Sequence, residues 1–271
     1  MKQILITKQD GTKEPFNVEK LRHSLTRSGA SEQEIDGVVD YVKKDLKEGM
    51  STSEIYKHAF SYLEHEKKPI AARYSMKRAV LALGPSGYPF ENFIAEIFRT
   101  KGYKVEVGSV VKGACVEHEV DIIGEMNGQK IGAEVKFHNK LGIRSDLKVA
   151  LYVHARFEDI RSGKIQIDED WLITNTRFSS NAIKYSNCIN MKMISWTYPK
   201  QGNLHDLIEE TGIQPITALT SLSGAEKKKL MEQKVILCKN IESNEEILHS
   251  LGLGAQKIEN VMAESQALCR I

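Results

Sequence analysis

The chain has 271 residues, enough for two or three modest domains, and 41% of them are hydrophobic, which is ordinary for a folded globular protein. Its formal net charge at pH 7 is only +2. Any contact with a polyanion must therefore depend on local clusters of basic residues, because the overall charge is too small to attract one.

The cysteines and the apolar stretches exclude several other classes of protein. Four cysteines, Cys115, Cys188, Cys238 and Cys269, lie far apart and form no C-x-x-C pair. This spacing argues against a structural zinc site or a disulfide framework and predicts reduced, packed thiols. The apolar run at the start is too short for a signal peptide, and no window approaches the length of a membrane span. We therefore expect a cytoplasmic protein with no membrane partner.

The first third predicts a short hairpin followed by helices. Residues 3–8 alternate as a strand does, and Asp10-Gly11 provides a turn that leads toward a helix beginning after Asn17. Further helices are predicted over residues 32–47, 53–66 and 70–83. The residues suited to N-cap positions are Asn17, Ser31 and Ser51 or Thr52.

The same segment carries a resemblance to a known domain. It reads I-T-K-Q-D-G-x-x-E-x-F-N-x-x-K-L, then T-S-E-I-Y and A-A-R-Y. That order resembles the ATP-cone, the regulatory nucleotide-binding domain of ribonucleotide reductases, over about residues 3–84. The resemblance implies that ATP or dATP binds as an effector near Ile6, Lys8, Gln9, Glu14, Asn17, Lys20, Thr52, Tyr56 and Arg78. Gln9 replaces the arginine usual in the motif, which removes a bidentate phosphate clamp. The sequence has no G-x-x-x-x-G-K-[ST] loop, so we do not expect it to hydrolyse the nucleotide.

The middle third opens with an amphipathic helix. An apolar stripe at helical spacing is formed by Phe90, Phe93, Ile94, Ile97 and Phe98. Glu91 lies at the edge of this stripe, whereas Glu96 points away from it. Glu91 is therefore the better candidate to reach a neighbouring site, and the alternative is a surface acid in the first helical turn. A strand is predicted next, over residues 104–111.

Residues 118–137, HEVDIIGEMNGQKIGAEVKF, predict a hairpin. Asn127-Gly128 suits a two-residue turn, and counting back from it sets Asp121 opposite Glu134. Because side chains alternate along a strand, Asp121, Glu134 and Lys136 should project from one face. The apolar side chains expected on the other face are Val120, Ile122, Ala133 and Val135.

Two opposed carboxylates repel each other unless a cation lies between them or one of them is protonated. Oxygen ligands of this kind suit Mg²⁺ or Mn²⁺. Lys136 would then stabilise developing negative charge or orient an attacking water. The alternative is a solvated amphipathic hairpin with a surface Glu-Lys pair.

These residues resemble a nuclease core. Asp121 followed by Glu134-Val135-Lys136 is similar to the D…(D/E)-x-K core of the PD-(D/E)XK superfamily. Phe90-Glu91, Gly102-Tyr103 and T-N-x-x-F-S-x-x-A over residues 174–182 are similar to its Mrr-like restriction endonuclease branch. Val120 stands where the superfamily name has proline. The resemblance implies catalytic roles for Glu91, Asp121, Glu134 and Lys136, a metal ion held by Asp121, Glu134 and the Val135 carbonyl, and a product with a 5′-phosphate.

The remaining elements of the middle third complete this unit. A helix is predicted over residues 141–160, with Arg144 and Lys148 one turn apart on one face. These cations would track a DNA phosphate backbone, and a solvated helix face is the alternative. Strands over residues 171–174 and 191–196 would complete a mixed sheet flanked by helices.

The last third is predicted to be helical. Residues 245–268 indicate two helices joined by Gly252-Leu253-Gly254. This pattern resembles a helix-hairpin-helix motif, in which N–H groups of Gly252, Gly254 and the following helix hold a DNA phosphate, with Lys257 assisting. Glycine is also the ordinary C-cap residue, so a purely structural turn is the alternative.

The predicted fold class is α/β (α+β), a restriction-endonuclease-like mixed sheet flanked by helices. It joins a mainly helical N-terminal ATP-cone (residues 1–84), a nuclease domain (85–200) and a small all-α DNA-binding domain (201–271). We expect a Mg²⁺-dependent DNA endonuclease of restriction or repair, regulated by ATP or dATP. The alternatives are a nucleotide-responsive DNA-binding protein with an inactive nuclease scaffold and a nuclease acting on RNA or single strands. Because one metal site cuts one strand, double-strand cleavage would favour a homodimer.

Overall fold

The structure is a computed structural model that describes residues 4–8 and 10–269. Its N-terminal unit begins with an antiparallel hairpin of β1 (Leu5–Thr7) and β2 (Lys13–Pro15), in which Ile6 lies opposite Glu14. The helices that follow are α1 (Val18–Arg27), α2 (Glu32–Asp45), α3 (Thr52–Glu66), α4 (Lys68–Tyr74) and α5 (Met76–Leu81). The predicted hairpin and helical unit is confirmed.

Side-chain caps decide where the first three helices begin. Asn17, Ser31 and Ser51 each accept a hydrogen bond from a backbone N–H of the first helical turn, as predicted. The prediction of one helix over residues 70–83 is wrong, because the chain breaks into α4 and α5 at Ser75. The Ser75 hydroxyl donates to the Ala72 carbonyl at 2.9 Å, a local bond that competes with helix continuation.

The middle of the chain forms a mixed sheet, as predicted. Its order is β3-β4-β5-β7-β9, antiparallel between β3, β4 and β5 and parallel between β5, β7 and β9. The strands are β3 (Lys104–Lys112), β4 (Glu117–Met126), β5 (Gln129–Lys136), β7 (Glu169–Thr174) and β9 (Lys192–Ile194). A separate parallel pair is formed by β6 (Arg144–Ser145) and β8 (Arg177–Phe178).

Helices cover both faces of this sheet. They are α6 (Tyr88–Thr100), α7 (Leu147–Arg161) and α8 (Ser180–Cys188). Ile122, Ala133 and Val135 pack on the α6 side, where Phe90 and Phe93 are fully buried. Burial of a side chain of this size contributes about 1.5–3 kcal/mol. On the other side, Leu172 packs with residues of α7 and α8.

The apolar face of the central hairpin differs from the prediction at one residue. Val120 belongs to the core under α7, whereas Ile122 belongs to the core under α6. Pairing of β3 with β4 is interrupted opposite Asp121 by Gly108, whose φ is +65°. Side-chain alternation is lost across Asp121, at this interruption of the pairing.

The predicted helix over residues 141–160 is also wrong at its start. The helix begins at Leu147, because Asp146 accepts hydrogen bonds from the N–H groups of Lys148 and Val149 and acts as its N-cap. Arg144 lies in β6 and pairs with Arg177 of β8. Arg144 and Lys148 are therefore not one turn apart on a helix.

The C-terminal part is helical, as predicted. It contains α9 (Leu204–Thr211), a 3₁₀ turn (Ile216–Ala218), α10 (Gly224–Glu232), α11 (Cys238–Glu242), α12 (Glu246–Ser250) and α13 (Ala255–Cys269). Met76 and Ala79 share one core with Ile216, Leu268 and the α6 side of the sheet. The Thr217 hydroxyl also donates to the Ala79 carbonyl at 2.6 Å. One core thus crosses the predicted boundary at residue 84, and the division into three domains stays a prediction.

Two further expectations concern cysteines and membranes. All four cysteines are free, as predicted, although Cys115 and Cys188 are exposed and not packed. Across the part of the chain that the structure describes, no helix is both long and apolar enough to cross a membrane.

Candidate functional site

The hairpin of β4 and β5 brings the predicted catalytic residues to the centre of the sheet. Its turn has the predicted positive φ angles, +54° at Asn127 and +78° at Gly128, and Met126 pairs with Gln129. The ladder runs back only to Ile122 and Ala133. Asp121 and Glu134 are the next two positions in this register.

At this point a side chain replaces a ladder bond. Asp121 Oδ2 accepts a hydrogen bond from the backbone N–H of Val135 at 2.7 Å. The carboxyl of Asp121 is therefore fixed against the backbone of β5, next to Glu134, whose side chain is only 3% exposed. The apolar side chain of Val135 packs into the opposite core.

Burial and the crowding of carboxyl groups raise two pKa values at this site. Burial and the charge of Glu134 raise the pKa of Asp121 to about 6, against the opposing effect of the Val135 N–H. Burial, followed by the charges of Asp121, Glu119 and Glu134, raises the pKa of Glu91 to about 7. Glu91 of α6 thus faces the same site as the strand residues. We call Glu91, Asp121 and Glu134 the carboxylate cluster.

The first turn of α6 fixes the position of Glu91. A Cβ placed on Gly87, the residue before α6, would lie 2.9 Å from Glu91 Oε1, so the carboxyl folds back over a residue without a side chain. The apolar stripe behind it, which includes Phe90 and Phe93, is fully buried. The helix is therefore anchored while its edge residue reaches the sheet.

Arg156 of α7 belongs to this site and was missed in the sequence. Its Nη1 donates both to Glu134 Oε2 and to the Glu119 carbonyl, the latter at 2.9 Å. Its guanidinium lies 4.6 Å from the centre of the Tyr152 ring, and its buried Nε has no partner among the described residues. Lys148, Tyr152 and Arg156 follow each other every four residues, so extending that helix face would have identified Arg156.

Glu134 is neutralised by two cations. Lys136 Nζ contacts Glu134 Oε1, and Arg156 contacts Oε2. Within residues 4–8 and 10–269, no group of three or more His, Cys, Asp or Glu side chains is arranged to hold a metal ion. The donors nevertheless suit a hard divalent cation in their chemistry, because carboxylates crowd here strongly enough to raise two pKa values. Glu134 would have to turn from Arg156 to bind such an ion.

The T-N-x-x-F-S-x-x-A segment has a structural role beside the cluster. The buried side chain of Asn175 accepts from the His138 N–H and donates to the His138 carbonyl, both at 2.9 Å. This pair of hydrogen bonds joins the ends of β5 and β7 just beyond Lys136. Ser179 accepts from the Ala182 N–H at 3.2 Å and caps α8.

The N-terminal unit contains a second candidate site, a cavity of about 210 Å³ that we call the cone cavity. Most of the predicted nucleotide-binding residues line it, namely Ile6, Glu14, Asn17, Lys20, Thr52 and Tyr56. The Tyr56 ring stacks on Tyr74 with centroids 5.2 Å apart. Burial raises the pKa of Tyr56 to about 12.

Two predicted nucleotide residues, Lys8 and Arg78, do not line this cavity. Lys8 Nζ lies 2.7 Å from Glu14 Oε2, so its charge is paired at the cavity's edge. The guanidinium of Arg78 lies 3.6 Å from the centre of the Tyr56 ring and donates to Ser53. Gln9 lies outside the described residues.

The predicted DNA contacts are spread over the molecule. Arg144 and Lys148 are exposed on either side of the start of α7. Gly252, with φ +74°, and Gly254 join α12 to α13, as expected of two helices with a glycine turn. Lys257, however, lies 2.8 Å from both carboxylate oxygens of Glu226, so its charge is already neutralised. The contact lowers the pKa of Glu226 to about 2.

Comparisons with known proteins agree with two parts of this description. The ATP cone domain model matches residues 4–80, and the model described as AF1548-like, C-terminal, matches residues 215–269. An uncharacterized protein of Archaeoglobus fulgidus is 34% identical over 174 residues, which cover 64% of this chain and 98% of that relative. The crystal structure of AF1548, a protein of unknown function, matches with 32% identity and a TM-score of 0.57, over 68% of this chain and 98% of that one.

The MspJI restriction endonuclease in complex with a 27-mer oligonucleotide is also similar, with 13% identity and a TM-score of 0.28, over 53% of this chain and 28% of that one. Similarity this low supports no argument. The fold and the family matches define an ATP-cone domain joined to a mixed α/β unit. The chain belongs to the AF1548-like family.

Proposed function

We propose that this protein is a metal-dependent nuclease that hydrolyses DNA phosphodiester bonds and responds to ATP or dATP bound by its cone. The observation that supports it is the convergence of Glu91, Asp121, Glu134 and Lys136 at one point of the sheet, from α6, β4 and β5. Residues far apart in sequence meet there, as a phosphodiester hydrolase requires of an ion site and its proton-transferring groups.

Each residue has a distinct part in this proposal. Asp121, Glu134 and the Val135 carbonyl would hold Mg²⁺ or Mn²⁺, with Glu91 at the edge of the site. When bound, the ion supplies a Lewis acid that polarises the phosphate and increases the acidity of a water. Lys136 Nζ holds a proton and a positive charge where negative charge develops on the phosphate oxygens. Glu91, with a pKa of about 7, is suited to exchange a proton near neutral pH.

One observation favours the second candidate, a nucleotide-responsive DNA-binding protein with an inactive nuclease scaffold. Lys136 and Arg156 already neutralise Glu134. An arrangement of this kind would stabilise the sheet without any ion. The two candidates differ in whether Glu134 exchanges Arg156 for a divalent cation, which is an experimentally accessible difference.

Cleavage of supercoiled plasmid separates these candidates. Natural protein, Asp121→Ala and Lys136→Ala would be compared in Mg²⁺ or Mn²⁺, with and without ATP or dATP. Lys130→Ala is the matched control, because Lys130 lies on the same strand but is 44% exposed and weakly paired with Glu125 at 3.8 Å. We expect nicking by natural protein and Lys130→Ala only. Intact plasmid under all conditions, or equal cutting by all four proteins, would refute the nuclease. RNA and single-stranded DNA substrates run in parallel test the remaining alternative.

Nucleotide binding by the cone is tested separately by calorimetry with ATP and dATP. Lys20→Ala should weaken binding, because Lys20 lines the cone cavity, where phosphate would compete with Glu14 for its ammonium group. Lys13→Ala is the control, since Lys13 is exposed on β2 and lines no part of that cavity. No heat of binding with natural protein would refute an effector role for these nucleotides. Light scattering with and without ATP would test the homodimer that double-strand cleavage favours.

A further inference from the structure

A second cavity, of about 190 Å³, lies where the N-terminal unit meets the segment that follows β9. Its lining comes from both sides and carries four cationic side chains. It includes Lys20 and Arg27 of α1, Arg73 of α4, Lys77 of α5, Trp196, and His205 of α9. We call this cavity the junction cleft. Clustered cations around one concave space are the usual recognition chemistry for phosphate groups.

In the described part of the chain, two of the four cations of the cleft contact a carboxylate, and two do not. Lys20 lies 3.1 Å from Glu14, and Arg27 makes a long contact of 3.5 Å with Asp206. Among the described residues, neither Arg73 nor Lys77 forms an ion pair within 4.0 Å. The cleft therefore has more cationic than anionic groups directed at it.

The neighbours of the cleft support this charge balance. Lys77 lies 5.8 Å from the centre of the Trp196 ring, and burial together with the charge of Arg177 lowers its pKa to about 8. Arg73 and Arg27 also act on Glu209, a half-buried carboxyl whose pKa is raised by burial. With Glu14 and Asp206 as the other acids in contact, the four cations of the cleft still outnumber the carboxylates. An anion in the cleft would favour the charged form of Lys77.

The junction cleft continues the cone cavity, because Lys20, Ser24 and Tyr74 line both. The cone cavity has an aromatic and aliphatic lining suited to a base, whereas the junction cleft has cations. We propose that the junction cleft binds the phosphate chain of a nucleoside triphosphate whose base occupies the cone cavity. This inference rests on the proposed nucleotide binding and adds where the phosphates lie and what they touch.

A ligand placed in this way would bridge two parts of the protein. Lys20, Arg27 and Arg73 belong to the N-terminal unit, whereas Trp196 and His205 belong to the segment after the sheet. Phosphate would compete with Asp206 for Arg27 across that junction. Occupancy of the cone is thereby coupled to the unit that contains the carboxylate cluster, and the coupling is reciprocal.

Calorimetry with three ligands tests the proposal on the full chain: ATP, AMP and inorganic triphosphate. Arg73→Gln and Lys77→Gln each remove one cation of the cleft. We expect ATP to bind about tenfold more weakly to each variant, because each loses a charged hydrogen bond to phosphate. AMP should bind all proteins with similar affinity, since it lacks the β- and γ-phosphates that would reach these cations. Lys77→Arg, which keeps the charge, should restore ATP affinity.

Lys44→Gln is the matched control, because Lys44 is exposed near the end of α2 and lines neither cavity. Thermal unfolding identifies a variant that does not fold, and the other cleft variant then decides. An unchanged ratio of ATP to AMP affinity in the folded variants overturns the proposal, while nucleotide binding by the cone stands. If neither nucleotide binds natural protein, nucleotide binding by the cone is refuted, and the triphosphate data test anion binding by the junction cleft alone. If triphosphate binds natural protein but neither cleft variant, the cleft is an anion site. If triphosphate does not bind natural protein, or binds both variants equally well, the cleft is not an anion site.

Discussion

Removal of Arg156 is expected to destabilise the fold strongly. In Arg156→Met a buried carboxylate, Glu134, loses one of its two cationic partners. Removing one partner of a buried ion pair costs about 3–5 kcal/mol, because the remaining charge is left without compensation. Lys136 stays in contact with Glu134, so the lower end of this range, about 3 kcal/mol, applies. The lost bond to the Glu119 carbonyl acts in the same direction.

Urea unfolding followed by circular dichroism measures this free energy. Arg99→Met is the matched control, because Arg99 is 41% exposed and pairs with Glu96 at 2.6 Å on the surface of α6. Loss of that pair should cost less than about 1 kcal/mol. Glu134→Gln and the double variant complete a cycle, in which the two changes should be coupled by about 2 kcal/mol. A cost for Arg156→Met no larger than that of the control, or additive effects in the cycle, would refute the role of this pair.

The same variant probes the metal site. With Arg156 absent, Glu134 is available to a divalent cation, so Mg²⁺ should raise the melting temperature of Arg156→Met more than that of natural protein. Asp121→Ala in the same background should abolish the difference. An equal response to Mg²⁺ in all proteins would argue against Glu134 as an ion ligand.

Three other changes follow from buried groups. Burial and the charge of Arg27 lower the pKa of His205 to about 4. The neutral imidazole should therefore contribute its full share of the free energy of unfolding above pH 6.5, and this share, up to about 2 kcal/mol after allowance for partial exposure, should be lost between pH 6.5 and 4. Unfolding of His205→Gln over that range should lack this component. Glu264 accepts four hydrogen bonds from Thr220 and Ser221, so Glu264→Ala should lower the free energy of unfolding by about 2–3 kcal/mol, and an unchanged urea midpoint would contradict this. A Cβ on Gly132 would come within 2.3 Å of the Phe157 ring, so Gly132→Ala should cost about 1–3 kcal/mol by overpacking, measured in the same way against the open position Gly224→Ala.

Short-range features of the fold could be predicted from the sequence. The Asn127-Gly128 turn and the serine caps at Ser31 and Ser51 depend on a few neighbouring residues, and the structure has them where expected. The register of the central hairpin follows from its turn. The start of α7 does not follow from the apolar pattern, which begins earlier, because the Asp146 side chain caps the helix at Leu147.

Features that depend on distant residues could not be predicted. Val120 lies in the other core from Ile122, beside the interruption of the ladder at Gly108 of the neighbouring strand. The pairing of Lys257 with Glu226 joins residues 31 positions apart, and no local pattern distinguishes such a lysine from one free to meet phosphate. Glu134 has two cationic partners. Lys136 lies two residues away and can be predicted from the sequence, whereas the pairing with Arg156, which lies on another element, cannot.

The core shared by α4, α5 and the C-terminal helices has a consequence for cooperativity. Met76 and Ala79 are buried against residues that lie more than one hundred positions later, so part of the hydrophobic core of the cone is formed by the C-terminal helices. A fragment ending near residue 80 would carry an uncovered apolar face and a severed bond from Thr217 to Ala79. Opening of the cone and opening of the sheet should therefore be parts of one unfolding transition. A ligand that stabilises the cone would then slow amide hydrogen exchange in the sheet.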